Sequence, residues 1–258
     1  TLQLQAALKE YFPQALRWAG DDLATPLAGE FLSRWPTLPA LQRARPATIR
    51  QFYTSHNCRR MARITERLGE IATATPLTRD PAILESSALY VQGLARQLLA
   101  LGPSLTALDA AIAQRVAAHP DADLFTAVPG AGAALAPRLL VAFGTDRTRF
   151  PTAADLQKSA GIAPVTVRSG TQCRVHWRWA TSTFLRQTFQ EFAHHSIQQC
   201  QWARAFYQQQ RHRGKTHHAA VRSLAFKWIR ILWRCWQDHV PYDDARYERA
   251  LTAHGSPL

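Results

Sequence analysis

No run of roughly eighteen apolar residues occurs anywhere in the 258-residue chain, so nothing in it reads as a membrane-spanning helix. The first stretch, residues 1–8, has neither the basic start nor the small-residue cleavage site of a signal peptide. Cysteine is scarce and dispersed. Cys58, Cys173, Cys200 and Cys235 never form a C-x-x-C pair, which excludes metal-finger spacing, and a chain that reads as intracellular implies no disulfides. Acid is also in short supply, with 18 Asp and Glu against 31 Lys and Arg. The carboxylates that do adjoin, Asp21-Asp22 and Asp243-Asp244, are sequence neighbours whose side chains point apart. They read as caps or solvated turns, not as a paired set for Mg2+. His194-His195 and His217-His218 point to different faces of a helix and fit surface or nucleic-acid contacts better than a metal site. There is no Ser-His-Asp spacing and no G-x-S-x-G elbow. An initiating Met is absent too, from which the sequence reads as a fragment or a trimmed product.

What is present is an apolar fraction of 47% and eight Trp, enough for the core of one large domain or two modest ones. A disordered basic tail does not have that composition. The formal charge of +13 is uneven: residues 1–120 carry 13 basic and 9 acidic side chains, residues 121–258 carry 18 and 9. The sharper window is residues 166–234. There Arg168, Arg174, Arg178, Arg186, Arg204, Arg211, Arg213, Lys215, Arg222, Lys227, Arg230 and Arg234 face one acid, Glu191, a net +11. Such a patch is a footprint for a polyanion, and ten of its twelve cations are Arg, whose planar fork suits phosphate oxygens and base edges. Aromatics lie among them. Phe206, Trp228 and Trp233 read as core residues of amphipathic helices, whereas Trp177 and Trp179, inside the run from Arg174 to Trp179, are open to stacking on a base.

The fold class that follows is mainly α: a long coiled-coil helical hairpin, then an α domain containing a helix-hairpin-helix and a small β-hairpin. Residues 2–41 read as short helices broken by Pro13, Pro26, Pro36 and Pro39. Between residues 49 and 71, Phe52, Met61, Ile64, Leu68 and Ile71 recur at helical spacing, which predicts one long helix. Pro81 suits the first position of the next, and Leu84, Leu94, Leu98, Leu101, Leu105, Leu108 and Ile112 extend it to Val116, with Gly102-Pro103 as a kink. Together these two helices form the expected coiled coil over residues 49–120, closed by His119-Pro120.

The next module opens on Val128-Pro129-Gly130-Ala131-Gly132 between two apolar segments, the spacing of a helix-hairpin-helix. Gly130 and Gly132 permit conformations that turn amides toward a phosphate. Any tight helix-helix turn uses glycine in the same way, so the structural alternative stands beside the DNA-binding one. Pro137 predicts that the second helix starts late or bends. Residues 153–160 read as a short helix ended by Gly161. Two β-branched flanks then form a hairpin with Ser169-Gly170 at the tip. Helices follow over residues 184–197, 201–211 and 217–236, the last with Val221, Leu224, Ala225, Trp228, Ile231, Leu232 and Cys235 on one face. Ser169, beside Arg168 and Gly170 within the basic window, is the candidate nucleophile with a supporting setting, although turn serines are common.

Residues 124–236 closely resemble the C-terminal domain of the bacterial insertion-sequence transposases of the DEDD type, the IS one-ten and IS one-one-one-one group. The match is carried by Val128-Pro129-Gly130-Ala131-Gly132, Ala160-Gly161-Ile162-Ala163-Pro164, Arg168-Ser169-Gly170, Phe206-Tyr207, Arg213-Gly214-Lys215 with His217-His218-Ala219-Ala220, and Lys227-Trp228-Ile229-Arg230. Tyr11-Phe12-Pro13 and the long-helix region resemble, less specifically, the end of the family's first domain and its coiled-coil linker. The resemblance implies residues 1–48 as the end of a RuvC-like domain, 49–120 as linker, 121–240 as the transposase domain and 241–258 as a tail.

What it further implies is a recombinase for a mobile DNA element, directed to double-stranded DNA by a guide noncoding RNA. Ser169 matches the family's serine, which attacks a phosphodiester to form a phosphoserine linkage. Gly130, Gly132, Arg168, Gly170, Arg174, Trp177, Arg178, Arg213 and Lys215 are the expected nucleic-acid contacts. Mg2+ belongs to the family's Asp-Glu-Asp-Asp set, which no residue here matches, so no metal is expected on this chain. On this reading the chain starts after that set, and alone binds nucleic acid without cutting or rejoining it. The coiled coil implies a homo-oligomer, a dimer or tetramer, in the bacterial cytoplasm at the nucleoid, with no membrane partner. Two rivals are a non-enzymatic helix-hairpin-helix module for DNA or RNA and a helical scaffold whose charge keeps it soluble.

Overall fold

The prolines of the first eighty residues open helices more often than they break them. In the computed structural model, which describes residues 1–176, 178–253 and 255, α1 (Leu2–Tyr11) and α2 (Ala15–Trp18) precede α3 (Pro26–Arg34), α4 (Leu38–Gln42) and α5 (Pro46–Ser55). Each of α3, α4 and α5 carries proline at its first or second position, where a helix leaves the backbone N–H unbonded in any case. Thr25 and Thr37 complete the caps of α3 and α4 by accepting the N–H groups of Ala28 and Ala40.

The single helix expected over residues 49–71 is two. After α5 the chain turns at Asn57, whose φ is 60°, and the Cys58 N–H bonds back to Tyr53 O, so the helical ladder stops before α6 (Met61–Thr73). Asn is among the few residues that adopt this left-handed conformation readily. By contrast α7 (Pro81–Ala117) is long and continues through Gly102-Pro103. Three helices therefore replace the expected pair.

The chain divides into two compact units, Thr1–Ala110 and Ala111–Leu258, with the division inside α7. In the first unit the core joins Leu4, Leu8, Phe12, Trp18, Phe31, Trp35, Phe52, Tyr53, Ile64, Ile71, Val91 and Ala95. Phe52 meets Trp35 edge-on at 5.1 Å, and the buried Tyr53 hydroxyl donates to Trp18 O at 2.9 Å. Such aromatic pairs contribute about 0.5–1.5 kcal/mol beyond the area they bury.

The second unit is built around one helix. Its elements are α8 (Ala122–Thr126), α9 (Gly132–Phe143), a 3-10 turn (Arg147–Arg149), α10 (Ala153–Ser159), β1 (Val165–Ser169), β2 (Gln172–His176), α11 (Thr183–Gln199), α12 (Gln201–His212), α13 (His217–Asp238) and α14 (Asp244–Ala253). Val221, Leu224, Ala225, Trp228, Ile229, Leu232 and Trp236 bury one face of α13 against α10, α11 and α12. Four indole N–H groups find acceptors: Trp202 on Tyr242 Oη, Trp228 on Ser196 Oγ, Trp233 on Phe150 O and Trp236 on Gly144 O. Without such a partner each buried indole N–H would be costly. Trp228 is fully buried and Phe206 and Trp233 pack on this core, as their helical spacing requires.

Two details differ from the sequence reading. Helix α9 starts at Gly132 and carries Pro137 within it, so the proline neither delays nor ends it. Residues 241–258, read as a tail, contain α14, and Tyr242 and Tyr247 join the core, with the Tyr242 hydroxyl donating to Asp244 Oδ1 at 2.6 Å. No helix among the described residues is long and apolar enough to cross a membrane.

Candidate nucleic-acid interface

β1 and β2 pair antiparallel from Val165 with His176 to Ser169 with Gln172. The loop is therefore Gly170-Thr171, one residue further along than the expected tip, and Ser169 is the last paired residue. Gly170 has φ 58° in open space, so the left-handed backbone, not crowding, requires glycine there. All of the ribbon except Val165 is exposed. Strand alternation decides which groups meet. Ser169 shares its face with Val167 and with Arg174, the partner of Val167, and further down with His176. Arg168, though next to Ser169 in sequence, lies on the opposite face with Cys173. Arg174 is thus the cation diagonal to the hydroxyl. The groups flanking or paired with Ser169 are Arg168, Gly170 and Gln172, none of which is a general base at neutral pH.

The glycine turn divides its two glycines by role. Gly130, φ 86°, lies against α11: a Cβ on it would stand 2.8 Å from Ser196 N and 2.9 Å from Ser196 Cα. Its lack of a side chain allows the turn to dock on a helix backbone. Gly132, φ 55°, has nothing within 4 Å of its Cβ position and is exposed at the start of α9. Phe125 of α8 and Phe143 of α9 meet at 5.1 Å with their rings tilted by 40°.

The remaining cations fall into distinct settings. Arg178 is partly buried just after β2, and its Nε has no hydrogen-bond partner among the described residues. Trp177 lies outside the described residues, and Trp179 is 81% exposed. Arg213 caps the end of α12, and Lys215, in the same exposed turn, donates to Ser223 Oγ at 2.9 Å. Other members of the basic window serve the fold: Arg204 caps the α11 carbonyls of Ile197 and Gln198, and Arg234 pairs with Asp238 at 2.5 Å. Lys227 sits 5.0 Å from the Trp202 ring and 4.8 Å from that of Phe206, and burial, helped by nearby Arg230, holds its pKa below the usual lysine range. Charge counting along the sequence cannot separate these roles.

Sequence reasoning missed a charged cluster centred on a buried carboxylate. Arg147 grips the buried Asp121 with both terminal nitrogens, at 2.6 and 2.8 Å, while His239 Nδ1 stands 3.1 Å from the same carboxylate. The Arg147 hydrogen bond holds the Asp121 carboxyl below the ordinary aspartate pKa, overcoming its burial. The histidine runs do meet across helices. His194 and His217 stand 5.4 Å apart, and Tyr207 Oη lies 2.8 Å from His217 Nδ1. Burial, then the neighbouring His194, His218 and Arg211, lower the His217 pKa. Among the described residues no three His, Cys, Asp or Glu side chains gather where they could hold a metal ion. Asp22 accepts Ala24 N–H in a turn and Asp243 accepts Arg246 N–H at the start of α14, in line with the caps and turns expected of these pairs.

Comparison with known proteins bears on this same segment. The 37%-identical "Insertion element IS110 uncharacterized 43.6 kDa protein" of Streptomyces coelicolor aligns over 158 residues, 60% of this chain and 38% of that protein. The "Insertion element IS900 uncharacterized 42 kDa protein" of Mycobacterium paratuberculosis is 31% identical over 166 residues, 62% of this chain and 40% of that one. The "Mini-circle putative transposase for IS117" of Streptomyces coelicolor is 29% identical over 248 residues, 95% of this chain and 60% of the relative. The alignments thus span at most 60% of the length of these relatives. Residues 122–208, which hold α8 to most of α12 and the ribbon with Ser169, match the model of the transposase IS116/IS110/IS902 family.

Proposed function

We propose that the chain acts in DNA transposition, its second unit engaging DNA and presenting Ser169 as the nucleophile of strand exchange. The observation that carries this reading is the ribbon: an exposed serine at its end, with Arg174 on the same face, inside the segment that matches a transposase family. The Ser169 hydroxyl attacks a phosphodiester phosphorus, forming a phosphoserine bond as the bridging P–O bond breaks and its oxygen leaves. Arg174 steadies the charge that gathers on the phosphoryl oxygens. Gly132, Arg168, Gly170, Arg178, Arg213 and Lys215 supply further contacts to nucleic acid, and the α8–α9 turn serves as a helix-hairpin-helix. A guide noncoding RNA selects the double-stranded target. Deprotonation of Ser169 falls to a group other than its ribbon neighbours Arg168, Gly170 and Gln172, and any Mg2+ to a partner domain.

Self-association through α7 completes the proposal. Leu94, Leu98, Leu101, Leu105, Leu108 and Ile112 repeat at alternating steps of four and three, the seam of a coiled coil, and the last four are exposed. The setting is the bacterial cytoplasm at the nucleoid.

The test supplies this chain with a metal-binding acidic domain from an insertion-element relative, a guide RNA and target DNA, and looks for a covalent protein–DNA adduct. Wild type forms it and Ser169→Ala does not; an adduct with Ser169→Ala removes Ser169 as nucleophile. A second reading, a non-enzymatic DNA- or RNA-binding module, is favoured by the ribbon neighbours of Ser169, since Arg168, Gly170 and Gln172 include no base. It expects binding without any adduct.

A further inference from the structure

A cleft of about 670 Å³ lies where β2 hands over to α11, and its walls carry Arg149, Lys158, Ser159, Arg178, Thr181 and Ser182. Among the described residues no acidic side chain lines it. The cleft is built by a close approach. Gly161, φ 67°, lets the chain after α10 press on Thr181 so tightly that a Cβ there would fall 2.4 Å from Thr181 Oγ1. Thr181 N–H donates to Trp179 O at 2.9 Å and its hydroxyl to Arg178 O at 3.4 Å, which sets the turn that presents Arg178. Ser182 accepts Leu185 N–H at 3.4 Å, so the start of the 17-residue α11 opens on the same space.

The chemistry of these walls is that of an anion site. Arg178 holds its Nε buried without an acceptor among the described residues, a donor already stripped of water. Lys158 pairs with Asp155 at 3.6 Å at the surface, where such a pair is weak and its ammonium can turn inward. The Arg149 guanidinium lies over the Phe150 ring at 5.0 Å, which leaves its N–H edge for a ligand. We propose that this cleft binds a backbone phosphodiester of a nucleic-acid strand, anchoring the strand beside the ribbon. The proposal rests on the nucleic-acid reading above and adds Arg149 and Lys158, which lie outside the basic window.

The experiment titrates the full chain with short, labelled, mixed-sequence DNA and RNA oligonucleotides between about 50 and 200 mM salt. Arg178→Gln and Lys158→Gln are each expected to weaken binding about tenfold, alike for every sequence, and to reduce the salt slope by about one. Equal losses on DNA and RNA support a site for either backbone, and a loss on one alone names the strand it holds. If both variants keep wild-type affinity and slope, the cleft proposal is overturned while the nucleic-acid reading stands. If wild type itself shows no salt-dependent binding, that reading falls. Should Arg178→Gln fail to fold, Lys158→Gln, at the exposed end of α10, decides the question.

Discussion

Gly130 and Ser196 touch backbone to backbone: the position a Cβ would take on Gly130 is 2.8 Å from the Ser196 nitrogen. The turn between α8 and α9 is therefore docked on α11 at a point where only hydrogen fits. Gly130→Ala is expected to lose about 1–3 kcal/mol from the clash in addition to about 1–2 kcal/mol for the left-handed φ. Gly132→Ala, in open space, should lose only the φ contribution. Urea unfolding of both variants gives the comparison, and equal losses would remove the docking role of Gly130.

The two faces of the ribbon make a second contrast. Because Arg174 shares the Ser169 face and Arg168 does not, Arg174→Gln should slow adduct formation by about 10²- to 10³-fold, the usual effect of losing one transition-state donor. Arg168→Gln should act mainly on binding, with a smaller change in the rate at saturating DNA. The reverse order would show that the strand approaches the other face.

Acid should unfold the second unit by way of Asp121. Its folded pKa is depressed by Arg147, so its stabilisation is fully present above the unfolded aspartate value of about 3.9 and is lost as pH falls through the lower folded value. Asp121→Asn should remove that pH dependence and cost about 1–3 kcal/mol at neutral pH, since Arg147 keeps its charge without its partner. Thermal melts from pH 7 down to about pH 3 measure both effects. An unchanged melting profile in the variant would show that the pair contributes nothing net.

For α7 the readout is mass in solution. Leu105→Lys with Leu108→Lys, both 59% exposed, should shift an oligomer to monomer in sedimentation velocity with no loss of helix content. Oligomers that survive both charges would place the contact elsewhere.

Local order was legible in the sequence, and long-range order was not. The apolar face of α13, the β-branched flanks of the ribbon and the short helix α10 ended by Gly161 all lie within a few turns of chain, where spacing decides structure. The break at Asn57 was hidden because the apolar spacing runs across it. Its only local sign was the weakly helical Ser55-His56-Asn57. Asp121 with Arg147, Gly130 with Ser196 and Gly161 with Thr181 are separated by 20 to 66 residues, and no periodicity connects them. The same distance in sequence hid Arg149 and Lys158 from the candidate site, since they meet Arg178 only across the cleft.

The ribbon gives nothing to the core, since its side chains beyond Val165 are exposed. The peptide bond after Gly170 is thus a natural place to divide the molecule. Cutting there, or inserting residues, should leave both resulting pieces folded together through α9, α11 and α13. Produced separately and mixed, the two pieces would then reassemble under the experimenter's control.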